Sequence, residues 1–156
     1  MQTYPVVEQP QTYNRNLFNH QLTSIYEMEK LEKEKKIHVN STYVMSTNIG
    51  IQSDPTGYGK TCSMIGLIVR DKMIWDLENE HVVNDVYQCN KQYQIVKTFR
   101  LQRIKTNLIV ISQSLVTQWK EELEKTKLDF EVVRTKKKAS NLNVEDYDVV
   151  LCTPTM

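Results

Sequence analysis

Glycine is scarce in this chain: it occurs four times in 156 residues, and Gly50, Gly57, Gly59 and Gly66 all fall within one stretch of seventeen. A backbone free of Cβ is wanted at one place only, and a demand so concentrated points to function. Alanine occurs once, as Ala139, and proline four times, while Asn, Lys, Ile, Thr and Tyr are plentiful; this is the usage of an AT-rich coding sequence and bears on the genome, not the chemistry. Cysteine is equally sparse. Cys62, Cys89 and Cys152 are far apart, odd in number and form no C-x-x-C, which excludes a disulfide framework and a zinc site of the usual spacing. His20, His38 and His81 have no metal-ligand spacing either. Apolar runs stop at about four to five residues, against about twenty for a membrane span. The opening MQTYPVVEQP has neither a basic n-region nor an apolar h-region. The expectation is an intracellular protein in a reducing compartment, neither secreted nor embedded. Charge of one sign is also missing. Twenty basic side chains against nineteen acidic ones leave +1, so any contact with nucleic acid has to be local.

What is present is an order of elements. Residues 1–15 are polar, proline-punctuated and aperiodic, and read as a loose lead-in. From Asn16 a helix is expected, with Leu22, Ile25, Met28 and Leu31 at spacings of three and KLEKEKK as its solvated end. Two short strands, STYVM (41–45) and IGIQS (49–53), come next, the second running into the glycine stretch. After it, KTCSMIGLIVRDKMIWDL reads as a largely buried helix with Ile65, Ile68 and Val69 inward. Residues 76–107 read as an insertion, in which QYQIVKTFRLQRIK alternates like a strand or hairpin. NLIVIS (107–112), FEVVRT (130–135) and YDVVLCT (147–153) are apolar enough for buried parallel strands, and SLVTQWKEELEKT between the first two is an amphipathic helix capped by Ser114, with Leu115, Trp119 and Leu123 spaced by four. Strand and helix in alternation predict an α/β fold, a parallel sheet covered on both faces.

The glycine stretch contains DPTGYGKT, which supplies Gly59, Lys60 and Thr61 of the phosphate-loop pattern G-x-x-x-x-G-K-[ST]. In that pattern backbone N–H groups wrap phosphate oxygens, the lysine reaches the β and γ phosphates and the hydroxyl ligates Mg²⁺. Asp54 stands where the general pattern has its first glycine, and Gly57 supplies flexibility two residues before Gly59. The bland alternative is a glycine turn between a strand and a helix with an exposed lysine.

At these residues the chain resembles a family. IGIQSDPTGYGKT resembles the first ATPase motif of superfamily 2 helicases, particularly the Swi/Snf-like branch, where an aspartate six positions before the lysine is usual. LFNHQLTSIYEM resembles the upstream glutamine motif, NLIVISQSLVTQWKEELEK the motif Ia segment, and YDVVLCTPT the strand ending in motif Ib. The wording is also similar to helicase-like ATPases of large DNA viruses, for which the nucleus or a cytoplasmic viral factory would be the setting. The resemblance implies a RecA-like P-loop NTPase domain over residues 16–156, an ATP·Mg²⁺ site and a grip on nucleic acid, duplex DNA first and RNA as an alternative. It places Gln21 at adenine, Asp54, Pro55, Thr56, Gly57, Tyr58, Gly59, Lys60, Thr61 and Cys62 around the phosphates, and Thr61 on Mg²⁺. Gln113, Ser114, Thr153 and Pro154 fall on the nucleic-acid face; helix capping and strand termination are their alternative roles.

Hydrolysis requires a second carboxylate pair to hold the metal and orient water. No D-E pair follows an apolar strand, and Asp129, Asp146 and Asp148 precede their strands. The expectation is therefore an amino-terminal portion of the first domain, ending before the D-E-x-H motif, without the second RecA-like half and inactive in hydrolysis by itself. Lys97, Arg100, Arg103 and Lys105, with Arg134 and Lys136 to Lys138, could neutralise phosphates, although a solvated charged face is the simpler account. Two other functions remain open: a P-loop kinase of small nucleotides, for which no arginine-rich lid is visible, and a non-catalytic interaction module built on the same scaffold.

Overall fold

In the computed structural model, which describes residues 4–89 and 92–154, three parallel strands lie in the order β5-β7-β6. They are β5 (Asn107–Val110), β6 (Phe130–Val133) and, between them, β7 (Val149–Cys152). β7 is apolar throughout and buried along its whole length, as expected of a central parallel strand that contributes both faces to a core. The register aligns Ile109 and Val132 with Leu151, and these residues face the main core with Val149 and Phe130.

Three helices cover that face: α1 (Asn19–Glu34), α2 (Lys60–Arg70) and α3 (Val116–Leu123). Ile25, Ile65 and Leu123, one from each helix, are fully buried in the shared core. Each contributes about 1.5–3 kcal/mol by leaving water. α3 buries Val116, Trp119 and Leu123, while Leu115 stays 41% exposed, because the first turn is a separate 3₁₀ turn over Gln113–Leu115. Ser114 caps neither element: its hydroxyl meets Ser112 Oγ at 2.9 Å.

The opposite face is only half covered, in contrast to the expected two-sided cover. Val133, Val150 and Cys152 lie under Leu142, Val144 and Tyr147, all from the segment between the short helix α4 (Lys136–Ser140) and β7. Leu108 pairs with Val150 and shares that face, yet it is 67% exposed, and Val110 is 55% exposed.

Several local expectations are corrected. The lead-in is not loose: Val7 and Tyr13 are core residues, and the Gln9 amide bonds both the N–H and the carbonyl of Leu17. Residues 49–53 do not form a ladder; Ile49 and Ile51 are 73% and 89% exposed, with no strand beside them among the described residues to take their backbone groups. β1 (Lys36–His38) starts at the last residue of the run expected to be solvated, is exposed throughout, and pairs antiparallel with β2 (Val44–Ser46). α2 ends at Arg70, short of Leu77, because Asp71 turns left-handed (φ 41°) and its carboxylate is taken by Lys105 Nζ at 2.5 Å and the Trp75 indole at 2.7 Å. Burial tends to raise the Asp71 carboxyl, but these two donors outweigh it and hold it below the usual carboxylate range. The expected insertion is a ribbon of β3 (His81–Cys89) and β4 (Gln92–Leu101), antiparallel, with a register shift between Asp85 and Val86.

Candidate nucleotide-binding site

α2 positions the glycine stretch. Its C-terminal end is clasped beside the start of β5 by Asp71 and Lys105. Eleven helical residues carry its N-terminus about 16 Å from that clasp. Gly59 begins the helix at φ +76° and Gly57 sits at φ +90°, both in the region that disfavours side chains. A Cβ on Gly59 would lie 2.2 Å from Gln21 Nε2, whereas one on Gly57 would meet open space. The first glycine is thus required twice over, by conformation and by contact, and the second by conformation alone.

Lys60 folds back on the loop, its Nζ donating to the carbonyls of Asp54 at 2.7 Å and Pro55 at 3.0 Å. The Asp54 carboxylate accepts from Gln52 Nε2 at 2.8 Å, so it braces the loop from outside the turn. Pro55, Thr56, Gly57 and Tyr58 are exposed, and Thr61 is half-buried. Among the described residues, the N–H groups of Gly57, Gly59, Lys60 and Thr61 meet no backbone carbonyl. Unpaired donors at the positive end of a helix, with an ammonium alongside, attract anions. One hydroxyl, from Thr61, suits Mg²⁺, which keeps several waters and takes its remaining ligands from phosphate.

Gln21 lies against this loop but faces inward. It is 5% exposed, its Oε1 accepts from the Phe18 N–H at 2.9 Å, and its Nε2 donates to the carbonyls of Tyr58 at 3.3 Å and Gly59 at 3.5 Å. Beside it, and unanticipated from the sequence, the rings of Phe18 and His20 stack 5.8 Å apart, and Tyr58 meets His20 edge-on at 5.5 Å.

Cys62, next to Thr61, is buried and receives Arg15 Nη1 at 3.2 Å. Arg15 Nε also pairs with Glu122 of α3 at 2.9 Å. Glu122 is a buried hub that accepts from Tyr13 Oη at 2.5 Å and Lys125 Nζ at 2.7 Å. Burial raises its carboxyl, but Lys125, Tyr13 and Arg15 together pull it below the usual range. The Tyr13 phenol is pushed far above its ordinary value by burial and the Glu122 carboxylate. The motif Ia segment already spans Glu122, but no motif marked Tyr13 or Arg15, whose only sequence sign was a tyrosine and an arginine within a polar segment.

Of the residues assigned to nucleic acid, Gln113 and Ser114 follow β5 and are exposed, while buried Thr153 and exposed Pro154 follow β7. Since β5 and β7 are parallel neighbours, joined past their ends by Ile111 N–H to Cys152 O at 3.0 Å, all four emerge at one edge. Asp129 and Asp148, which precede β6 and β7, hydrogen-bond each other at the opposite edge: the Asp129 N–H donates to Asp148 Oδ2 and the Asp148 N–H to the Asp129 carbonyl. Among the described residues no three His, Cys, Asp or Glu side chains gather to hold a metal.

A parallel α/β sheet flanked by helices, with a glycine turn feeding the N-terminus of α2, defines a RecA-like fold. The match to a solved structure agrees: the chain superposes on the Sulfolobus solfataricus SWI2/SNF2 ATPase core in complex with dsDNA with a TM-score of 0.60 and 23% identity, covering 96% of this chain and 24% of that one. In sequence it is 28% identical over 151 residues to a protein of Acanthamoeba polyphaga mimivirus named a putative helicase, covering 81% of this chain and 17% of the relative. The resemblance to superfamily 2 helicases, including those of large DNA viruses, is thus met in both sequence and fold. No protein-family model matches. The chain spans 17% and 24% of the lengths of these two proteins.

Proposed function

We propose that this chain is the ATP-binding portion of a DNA-dependent ATPase of the helicase or translocase kind. The observation that carries the reading is the glycine turn at the start of α2, where unpaired N–H groups and Lys60 converge. The main-chain donors from Gly57 to Thr61 cradle phosphate oxygens. Lys60 leaves the Asp54 and Pro55 carbonyls to neutralise β and γ charge, and Thr61 supplies one oxygen to Mg²⁺. The metal, when bound, offsets phosphate charge. Gln113, Ser114, Thr153 and Pro154 contact a nucleic-acid backbone from the neighbouring edge, duplex DNA in preference to RNA. Asp129, Asp146 and Asp148 are not the hydrolytic carboxylates, so a second acidic pair and a second RecA-like half supply turnover in the whole protein. An intracellular setting, with buried Cys62 and Cys152 reduced, completes the reading.

Calorimetry with MgATP tests it. Lys60→Ala should weaken binding at least about a hundredfold, the scale of one charge-assisted contact to phosphate. Unchanged affinity refutes the assignment. The purified chain should show no steady ATP turnover, and DNA-stimulated hydrolysis should appear only in a polypeptide that carries the second acidic pair.

A further inference from the structure

We propose that the outer edge of β3 is a docking edge for a second copy of this chain, the two β3 strands pairing antiparallel about a two-fold axis at Asn84 to form a sheet in the order β4-β3-β3-β4. The inference goes beyond the nucleotide reading and does not depend on it.

The ribbon lacks cover, and one of its edges lacks protection. Among the described residues, none of β3 or β4 enters either core cluster, and no third strand joins their sheet. Val82 and Val86 on one face of β3 are each 53% exposed, and Tyr87 on the other face is 62% exposed. A two-stranded ribbon alone in water is marginal. Soluble proteins blunt an exposed edge with cations, bulges or proline. β4 has the first two: Lys97 and Arg100 lie along it, and Val96 is the extra residue at the register shift. β3 has none of them, and its one full charge, Asp85, stands opposite Lys97.

The basic groups of this region are already paired, which disfavours nucleic acid as the occupant. Arg100 approaches Glu80 at 3.7 Å, Arg103 meets Asp76 at 3.0 Å, and Lys105 is held by Asp71. The β3 sequence, by contrast, matches itself. With Asn84 opposite Asn84 of the second copy, Val82 faces the other Val86 and Val86 the other Val82, both on one face. On the other face His81 lies opposite Tyr87, and Asp85 opposite Val83, so no like charges are directly opposed. The pairing closes at two copies, because both outer edges of the joined sheet are then the guarded β4. A single strand edge of 9 residues covers less than the about 800 Å² a side of a standard interface, so the dimer is a weak one. The ribbon is rooted where Lys105 meets Asp71, the end of α2 remote from the glycine turn, and pairing leaves that turn open.

Sedimentation equilibrium of the full chain tests the pairing, with binding of a dye-labelled DNA duplex measured separately by anisotropy. The unaltered chain should pass from one copy to two between about 10 and 500 μM. Val82→Glu combined with Val86→Glu opposes carboxylates across the axis and should weaken association about tenfold or more. Mixing that variant with Val86→Lys should return a mixed dimer to within about threefold of the unaltered affinity, which a ribbon merely unfolded by the substitutions would not do. Val96→Lys, on the guarded strand, should leave association unchanged. A chain still monomeric at about 500 μM overturns the proposal. So does a dimer indifferent to the two valine substitutions, a glutamate variant that Val86→Lys does not rescue, or a dimer lost in Val96→Lys. A monomeric chain whose affinity for the duplex falls when Lys97 and Arg100 are replaced by alanine also overturns it, and assigns the ribbon to nucleic acid.

Discussion

Replacing Gly59 by alanine probes the coupling between the phosphate loop and α1. Three costs arise. Holding alanine at φ +76° costs about 1 kcal/mol. The new Cβ, 2.2 Å from Gln21 Nε2, expels the amide from the carbonyls of Tyr58 and Gly59. Those bonds are long, so together they stand for about 1 kcal/mol. The Phe18 N–H then loses the oxygen that caps it, another loss of about 1 kcal/mol. The sum is about 3 kcal/mol, and at about 2–4 °C per kcal/mol for a chain of this size the midpoint of thermal unfolding should fall by about 6–12 °C. Gly57→Ala is the control, because a Cβ there meets nothing; it should show the backbone cost alone, about 1–2 kcal/mol. Combining Gly59→Ala with Gln21→Ala separates the parts. With Gln21 already truncated only the backbone cost remains, so the two substitutions should be sub-additive by about 2 kcal/mol in a double-mutant cycle. Thermal melts followed by circular dichroism would measure all four proteins. Additivity within about 0.5 kcal/mol refutes the claim that Gln21 braces the loop.

Glu122→Gln should cost about 1–2 kcal/mol, since Tyr13 and Arg15 each lose a charged acceptor while Arg15 and Lys125 remain partly hydrated. Because the folded Glu122 carboxyl lies below its unfolded value of about 4.3, its contribution is complete above that value and disappears as pH falls through the lower folded one. Melts between pH 6 and pH 3 should therefore show a smaller acid-induced loss in Glu122→Gln than in the unaltered chain, and parallel curves would refute this. Replacing His81–Leu101 by a short glycine–serine linker should move the melting midpoint by less than about 2 °C, because the paired ends of the ribbon already lie side by side and Val82, Val86 and Val96 are largely in solvent. A fall of more than about 5 °C would show that the ribbon supports the core.

The parallel strands and the loop were legible because each carries its own signal. An uninterrupted run such as VVLC has to be buried on both faces, and a glycine–lysine–threonine turn before an apolar helix has few other uses. Misreadings arose where tertiary partners decide the outcome. Residues 49–53 have the composition of a strand, but composition cannot supply a neighbour for the ladder. Asp71 ends α2 through an ion pair with Lys105, thirty-four positions on, which no local pattern announces. The lead-in reads as loose because its anchors, Val7, Gln9 and Tyr13, are single residues in a polar stretch. At the site, spacing and resemblance located Lys60 and Thr61, but the inward turn of Gln21 and the exposed rings beside it depend on side-chain directions that spacing does not encode.

The inward fold of Lys60 changes how an anion is received. Its ammonium already rests on two carbonyls of the turn, which act as placeholders and keep the strand-to-helix bend in shape before any ligand arrives. On the triphosphate reading, capture exchanges those carbonyls for phosphate oxygens on a turn already in shape, with little ordering left to oppose it. Added salt, which screens the positive end of α2, should weaken that attraction.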